Sequence, residues 1–297
     1  MNQVKEKIGY NSIRKRLYTG RGVGIAVLDT GVFPHKDFED RICVFKDFTS
    51  RRKTPYDDNG HGTHIAGIIA GNGRCCGGIY TGIAPESHLA VLKVLDKNGN
   101  GYASDVLAGL RWVREHGKKY GIRIINISVG SFSKKNMKED SVLVKGVDAA
   151  WDSGFVVVVA AGNNGPEMHT ITTPGISRKV ITVGTSDDHY EIEVGGVHMV
   201  DYSGRGPTIN DICKPDLVAP GSRVISCANK QGKYTYKSGT SMSTPMVSAA
   251  AALLLEKYPD ISNREVKLRF LERAVDLGMS RNQQGWGMLN IKKLLEE

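Results

Sequence analysis

A chain of 297 residues with 40% hydrophobic and 24% charged residues can bury a sizeable core and is too balanced to be disordered. Its formal charge of +9 invites an acidic partner, but the basic residues are scattered in short clusters such as Arg14-Lys15-Arg16 and Arg51-Arg52-Lys53, which describe solvated surface and not a nucleic-acid footprint. The longest apolar runs, 155–161 and 249–255, fall far short of a membrane span.

Residues 1–19 read as a polar, partly helical lead-in that Gly20-Arg21-Gly22 ends. Residues 1–10 hold no apolar core of a signal peptide, so none is expected. The glycines at 20, 22 and 24 precede their strand instead of following it, which is the wrong geometry for a phosphate cradle. From Val23 onward short β-branched runs alternate with helical patterns. Strands are expected over 23–28, 88–95, 122–127, 155–160 and 180–183, and helices over 61–71, 104–120, 140–153, 240–258 and 263–276. Such alternation predicts an α/β protein with a three-layer build, a mainly parallel twisted sheet carrying helices on both faces. No composition shift, linker or repeat divides residues 20–297, which read as one domain. Five cysteines in an odd, irregular arrangement, with Cys75 and Cys76 adjacent, describe neither a disulfide framework nor a Cys-x-x-Cys metal or redox motif. Reduced thiols and a cytoplasmic location are expected.

The chemistry gathers at three places. Asp29 ends the apolar run 23–28 and is followed by Thr30-Gly31. His61 lies in Asp58-Asn59-Gly60-His61-Gly62-Thr63-His64. Ser241 lies in Ser238-Gly239-Thr240-Ser241-Met242-Ser243-Thr244-Pro245, just ahead of the apolar run 246–255. Small hydrogen-bonding residues followed by strong helix formers mark a helix N-terminus, with Pro245 tolerable only near that start. A hydroxyl there sits beside unpaired N–H groups and the positive end of the helix dipole. An acid, an imidazole and a hydroxyl, each in a small-residue setting, are the parts of a nucleophilic triad. Ligands of parallel sheets gather at the carboxyl ends of strands, and Asp29, Ser128 and Asn163 each follow an apolar strand run, so they share one rim. His64 reads as structural, since a His-Glu-x-x-His zinc pattern is absent. Residues 239–243 lack the second glycine of Gly-x-Ser-x-Gly, and the chain order Asp, His, Ser also disfavours an α/β-hydrolase esterase.

Asp29-Thr30-Gly31, His61-Gly62-Thr63-His64 and Gly239-Thr240-Ser241-Met242-Ser243-Thr244-Pro245, in that order, resemble the three signature blocks of the subtilisin-like serine proteases. Ala160-Ala161-Gly162-Asn163 resembles the block that carries the family's oxyanion-hole asparagine, and the likeness runs from about Gly20 to the Gly285-Trp286-Gly287-Met288-Leu289-Asn290 ending. The resemblance implies a subtilisin-like fold and a serine endopeptidase of the intracellular bacterial type, acting on polypeptides through an acyl-enzyme and needing no cofactor for catalysis. It implies Asp29, His61 and Ser241 as the triad, with the Asn163 amide and the Ser241 N–H as oxyanion donors. Gly99-Asn100-Gly101 and Ser128-Val129-Gly130 become the two edges between which substrate adds as a strand. Gly130 and Ala160-Ala161-Gly162 become walls of the pocket for the residue before the scissile bond (P1), and their small, uncharged character predicts large apolar side chains there. Met242, next to the nucleophile, is expected to be open to oxidation. Family members often bind structural calcium, for which Asp37, Asp57 and Asp58 are candidate ligands, but loop 71–78 has no carboxylate and carries Arg74, unlike the usual calcium loop. A catalytically idle relative that binds peptides is the alternative reading.

Overall fold

Strand runs of unbroken apolar residues require cover on both faces, and the computed structural model, which describes residues 1–12, 18–130, 140–194 and 197–296, provides it. The Arg14-Lys15-Arg16 cluster lies outside the described residues. In chain order the strands are β1 (Gly24–Asp29), β2 (Ile42–Asp47), β3 (His88–Lys93), β4 (Ile122–Ile127), β5 (Val156–Ala160) and β6 (Ile181–Thr185). They continue with β7 (Ile192–Val194), β8 (Val197–Met199), β9 (Leu217–Ala219), β10 (Val224–Cys227) and β11 (Tyr234–Lys237). Seven of them form one sheet in the order β2-β3-β1-β4-β5-β6-β9, every pairing parallel. Two antiparallel hairpins, β7–β8 and β10–β11, stand apart from it.

The helices are α1 (Asn2–Lys7), α2 (His61–Ala70), α3 (Ala103–His116), α4 (Val142–Asp152), α5 (Thr240–Lys257), α6 (Asn263–Arg273), α7 (Arg281–Gln284) and α8 (Ile291–Leu295). α2 and α5 pack together against the sheet, while α3 and α4 pack together against β1 and β5, giving three layers. α5 is buried along nearly its whole length and shows no polar face, as a helix in the middle of a core must. α6 starts with a capping box, Ser262 bonding the Glu265 N–H and Glu265 reaching back.

All five expected strands and all five expected helices form, with ends shifted by a few residues. The expected helix 104–120 tightens after His116 into a 3₁₀ turn, and the helix over 263–276 stops at Arg273. Pro245 is the sixth residue of α5, further in than the first turn, so the helix runs on without the hydrogen bond that a residue there would donate to Ser241 O. Two strands of the sheet were not expected. β2 is an edge strand with only one buried residue, and β9 is three residues long, so neither shows a sustained pattern. The start of the lead-in belongs to the same core: Met1, Val4 and Ile8 are buried, and Ile8 O accepts from the Ile291 N–H.

Candidate active site

Asp29 ends β1, Ser128 follows β4 and Asn163 follows β5, so adjacent parallel strands deliver all three to one rim. His61 arrives from the other direction, as the first residue of α2. Its placement rests on Asp57. One carboxylate oxygen of Asp57 accepts from the Asn59 and Gly60 N–H groups and the Thr30 hydroxyl; the other accepts from the Thr63 N–H and hydroxyl. These donors include free N–H groups of the helix start, so Asp57 caps α2 and ties it to the turn after β1. Burial works against the Asp57 charge, but these donors outweigh it and hold the carboxyl below its ordinary value. Gly62 permits the close approach, since a Cβ there would lie 2.1 Å from Gly31 O.

Across this contact His61 Nδ1 meets Asp29 Oδ1 at 2.7 Å. A carboxylate only accepts, so Nδ1 carries the proton, and when the ring is neutral Nε2 keeps the lone pair on a residue that lines the cleft. Asp29 is fully buried and also takes the Thr30 N–H on Oδ1. Burial of His61 disfavours its charged form, yet the charge and hydrogen bond of Asp29 prevail and raise its pKa above the ordinary 6.5.

Ser241 is the second residue of α5, where N–H groups have no partner within the helix. Its hydroxyl donates to Ser128 O at 2.7 Å, and among the described residues no hydrogen bond joins it to His61. Ser128 is itself held by an Asn126 Nδ2 donor at 2.9 Å, and Asn126 by the Ser248 hydroxyl at 2.8 Å. Asn163 is oriented from its oxygen end: Oδ1 accepts from the Thr240 N–H at 2.9 Å and the Thr240 hydroxyl at 3.0 Å, which leaves the Nδ2 donors for other use. Gly239, at φ 133°, makes the turn into α5 in a region open essentially to glycine alone, and a Cβ on it would press on Asn163 Nδ2 at 3.0 Å. His61, Asn163 and Ser241 line one cleft of about 740 Å³.

A sequence model of the subtilase family matches residues 20–287. The chain belongs to the subtilase family. It is 41% identical over 266 residues to serine protease AprX of Bacillus subtilis (strain 168), a match that covers 84% of this chain and 60% of that protein. It is 33% identical over 285 residues to subtilisin DY of Bacillus licheniformis, covering 95% and 94% of the two chains. Among solved structures, one named S41 Psychrophilic Protease shares 32% identity and 97% coverage of both chains with a TM-score of 0.79; Sphericase shares 32% identity, covers 97% of this chain and 96% of its own, and scores 0.77. The chain thus spans about 60% of the length of AprX.

Of the substrate-binding residues expected from the subtilase resemblance, Gly99, Ser128, Val129, Gly130, Ala160 and Gly162 line the cleft. Asn100 and Gly101 line a neighbouring cavity of about 490 Å³ with Tyr102 and Lys93, because the turn at Gly99 carries the chain away from the cleft. Ala161 is fully buried behind the wall, where its carbonyl accepts from the Thr172 N–H. Thr172 was not anticipated. A Cβ on Gly130 would lie 2.4 Å from Thr172 Oγ1, and one on Gly162 would lie 2.3 Å from Thr172 Cγ2, so its side chain stands between the two expected P1 walls. Thr172 sits in an irregular segment eleven residues from its hydrogen-bond partner, with no local motif to mark it. Leu95, Tyr236 and Lys237 also reach the cleft unannounced.

Met242 lines the cleft but is only 1% exposed, so its thioether is shielded more than expected: its helix turns it inward, into the core. His64 is fully buried; its Nε2 meets Val224 O at 3.0 Å and Thr235 O at 3.2 Å and so pins β10–β11 to α2. Of the acidic residues named for calcium, Asp57 caps α2 and Asp58 pairs with the buried Lys93 at 2.8 Å. Among the described residues no helix is long and apolar enough to cross a membrane.

Proposed function

We propose that this subtilase is a serine endopeptidase in which Asp29, His61 and Ser241 hydrolyse peptide bonds through an acyl-enzyme. The reading rests chiefly on the 2.7 Å pair of His61 Nδ1 and buried Asp29 at the mouth of a cleft that also holds Ser241 and Asn163. Ser241 Oγ leaves Ser128 O by rotation about its Cα–Cβ bond and turns to His61 Nε2. As Oγ attacks the substrate carbonyl, its proton passes to Nε2, and the imidazolium is stabilised by Asp29. The carbonyl oxygen, now an anion, is received by the Ser241 N–H and the Asn163 amide, whose Oδ1 Thr240 already holds, so no reorganisation is needed. His61 returns the proton to the leaving nitrogen, the C–N bond breaks, and a water deprotonated by His61 releases the acyl group. No cofactor enters any step.

Substrate is a polypeptide lying as a strand between the Gly99 and Ser128–Gly130 edges. The P1 side chain enters between Gly130 and Gly162, large and apolar, with Thr172 limiting its depth. A fluorophosphonate probe tests the assignment. Labelling at Ser241, lost together with casein cleavage in Ser241→Ala, supports it. The bond from Ser241 to Ser128 O, which holds the hydroxyl away from His61, favours a catalytically idle peptide binder as the second reading; absence of labelling with retained peptide binding would establish that one instead.

A further inference from the structure

Three of the five thiols gather at the C-terminal end of α2, about 15 Å along the helix from His61. Loop 71–78 brings Cys75 and Cys76, the β10–β11 hairpin brings Cys227 and Tyr234, and the chain after β1 brings His35 and Asp37. One ring nitrogen of His35, one carboxylate oxygen of Asp37 and the Cys75 sulfur all lie within 4.8 Å of one another. Cys227 Sγ lies 3.6 Å from Asp37 Oδ2. The His35 and Asp37 side chains are completely shielded from solvent, and His35 Nδ1 lies 3.6 Å from Asp37 Oδ1.

The structural ion usual in subtilases does not suit these donors. Calcium takes six to eight oxygen ligands, and here a single carboxylate faces an imidazole and thiols. Thiolate and imidazole with one carboxylate is instead the tetrahedral donor set of zinc-class cations, which soft sulfur ligands select over calcium and magnesium. The carboxylate is braced as a ligating carboxylate is, accepting the Cys75 N–H on Oδ1 at 2.9 Å and the Tyr234 hydroxyl on Oδ2 at 2.8 Å. His35 Nδ1 accepts only the Asp37 N–H, at a long 3.2 Å.

We propose that His35, Asp37 and Cys75 bind one thiophilic divalent cation of the zinc class, with Cys227 Sγ, 3.6 Å from Asp37 Oδ2, near enough to complete the set. The ion joins three segments that are distant in sequence and surround the end of α2, the helix that carries His61. It opposes local opening there, the step through which a protease is cleaved by its own kind. These donors converge whether or not the cleft hydrolyses peptides.

The test uses the full chain carrying Ser241→Ala, so that self-cleavage cannot interfere, reduced and freed of metal with a chelator. Zinc and cadmium are titrated in turn, with bound metal measured by mass spectrometry and thiolate ligation by the cadmium–sulfur absorption band. One zinc per chain, a cadmium–thiolate band, and a Tm higher by roughly 5 °C at a hundredfold excess over Kd are expected. Cys75→Ser should weaken binding beyond the roughly 10–100-fold that loss of a supporting group costs. Cys43→Ser and Cys213→Ser, both exposed and outside the cluster, should leave it unchanged. Should Cys227→Ser fail to fold, Cys75→Ser and His35→Gln carry the test, since Cys75 lies in a partly exposed loop. Less than one zinc per chain, binding unaltered by Cys75→Ser, or an equal Tm response to calcium would overturn the proposal.

Discussion

His61 is pulled in opposite directions, down by burial and up by Asp29, and the upward pull prevails. As the proposed general base His61 must be neutral to work, so the acid limb of kcat/KM should have its midpoint above the ordinary imidazole value of about 6.5. Asp29→Asn should move that limb to lower pH and reduce kcat by about 10⁴, the loss that follows when the carboxylate of a Ser-His-Asp triad is replaced by its amide and the imidazole takes the wrong tautomer. A limb that stays put in Asp29→Asn would mean that another group titrates. Thr172 acts at the same scale. Its side chain occupies space between Gly130 and Gly162, so Thr172→Gly should deepen the pocket and move P1 preference toward aromatic residues by about tenfold, the worth of one or two methyl groups in an apolar pocket. Peptide-library profiling of both proteins reads this directly.

At the scale of the element, α2 and α5 each present a residue of the proposed triad from their first turn, and each start is held by groups outside the helix. Asp57 takes five donors at the head of α2. Asp57→Ala orphans several of them at once and should cost about 2–4 kcal/mol, read from urea unfolding in the Ser241→Ala background. The head of α5 depends on Gly239. Gly239→Ala places a Cβ against Asn163 Nδ2 at a strained φ, so it should lower kcat more than it raises KM, because in the proposed mechanism the displaced donor serves the transition state. Equal effects on both would point to general disorder of the cleft.

For the whole molecule the buried groups set an acid limit. His64, sealed between α2 and β10–β11, has its pKa lowered by burial, and further by the charges of His61 and Lys237, to about 3. Between about 3 and the 6.5 of the unfolded chain, the unfolded state binds the proton and the folded state does not. Stability from this residue is therefore complete above 6.5 and falls as pH drops through that window. Asp57, with its depressed pKa, adds loss at lower pH still. His61, with its raised pKa, acts the other way: its contribution is present below 6.5 and is lost as pH rises through its folded value. The net expectation is a Tm that declines steadily from about pH 6.5 to about 4, with a shallower decline in a folded His64→Gln variant. A Tm independent of pH over that range would show that His64 titrates normally.

The amino-acid sequence by itself determined the strand and helix alternation, the parallel sheet and the rim on which Asp29, Ser128 and Asn163 lie, because runs such as 23–28 and 155–160 are apolar enough to demand cover on both faces and end in polar residues. It also marked the start of α5, since Ser238-Gly239-Thr240-Ser241 ahead of an apolar run carries its signal locally. Only the tertiary structure decided what depends on residues meeting from afar. Thr172 between Gly130 and Gly162, Asp57 reaching forward to Thr63 and back to Thr30, and Cys75 and Cys227 converging on Asp37 leave no periodicity or spacing to read. The edge strand β2 went unread for a related reason: a strand half open to solvent need not be apolar, so its pairing with β3 is settled by the neighbour and not by its own residues.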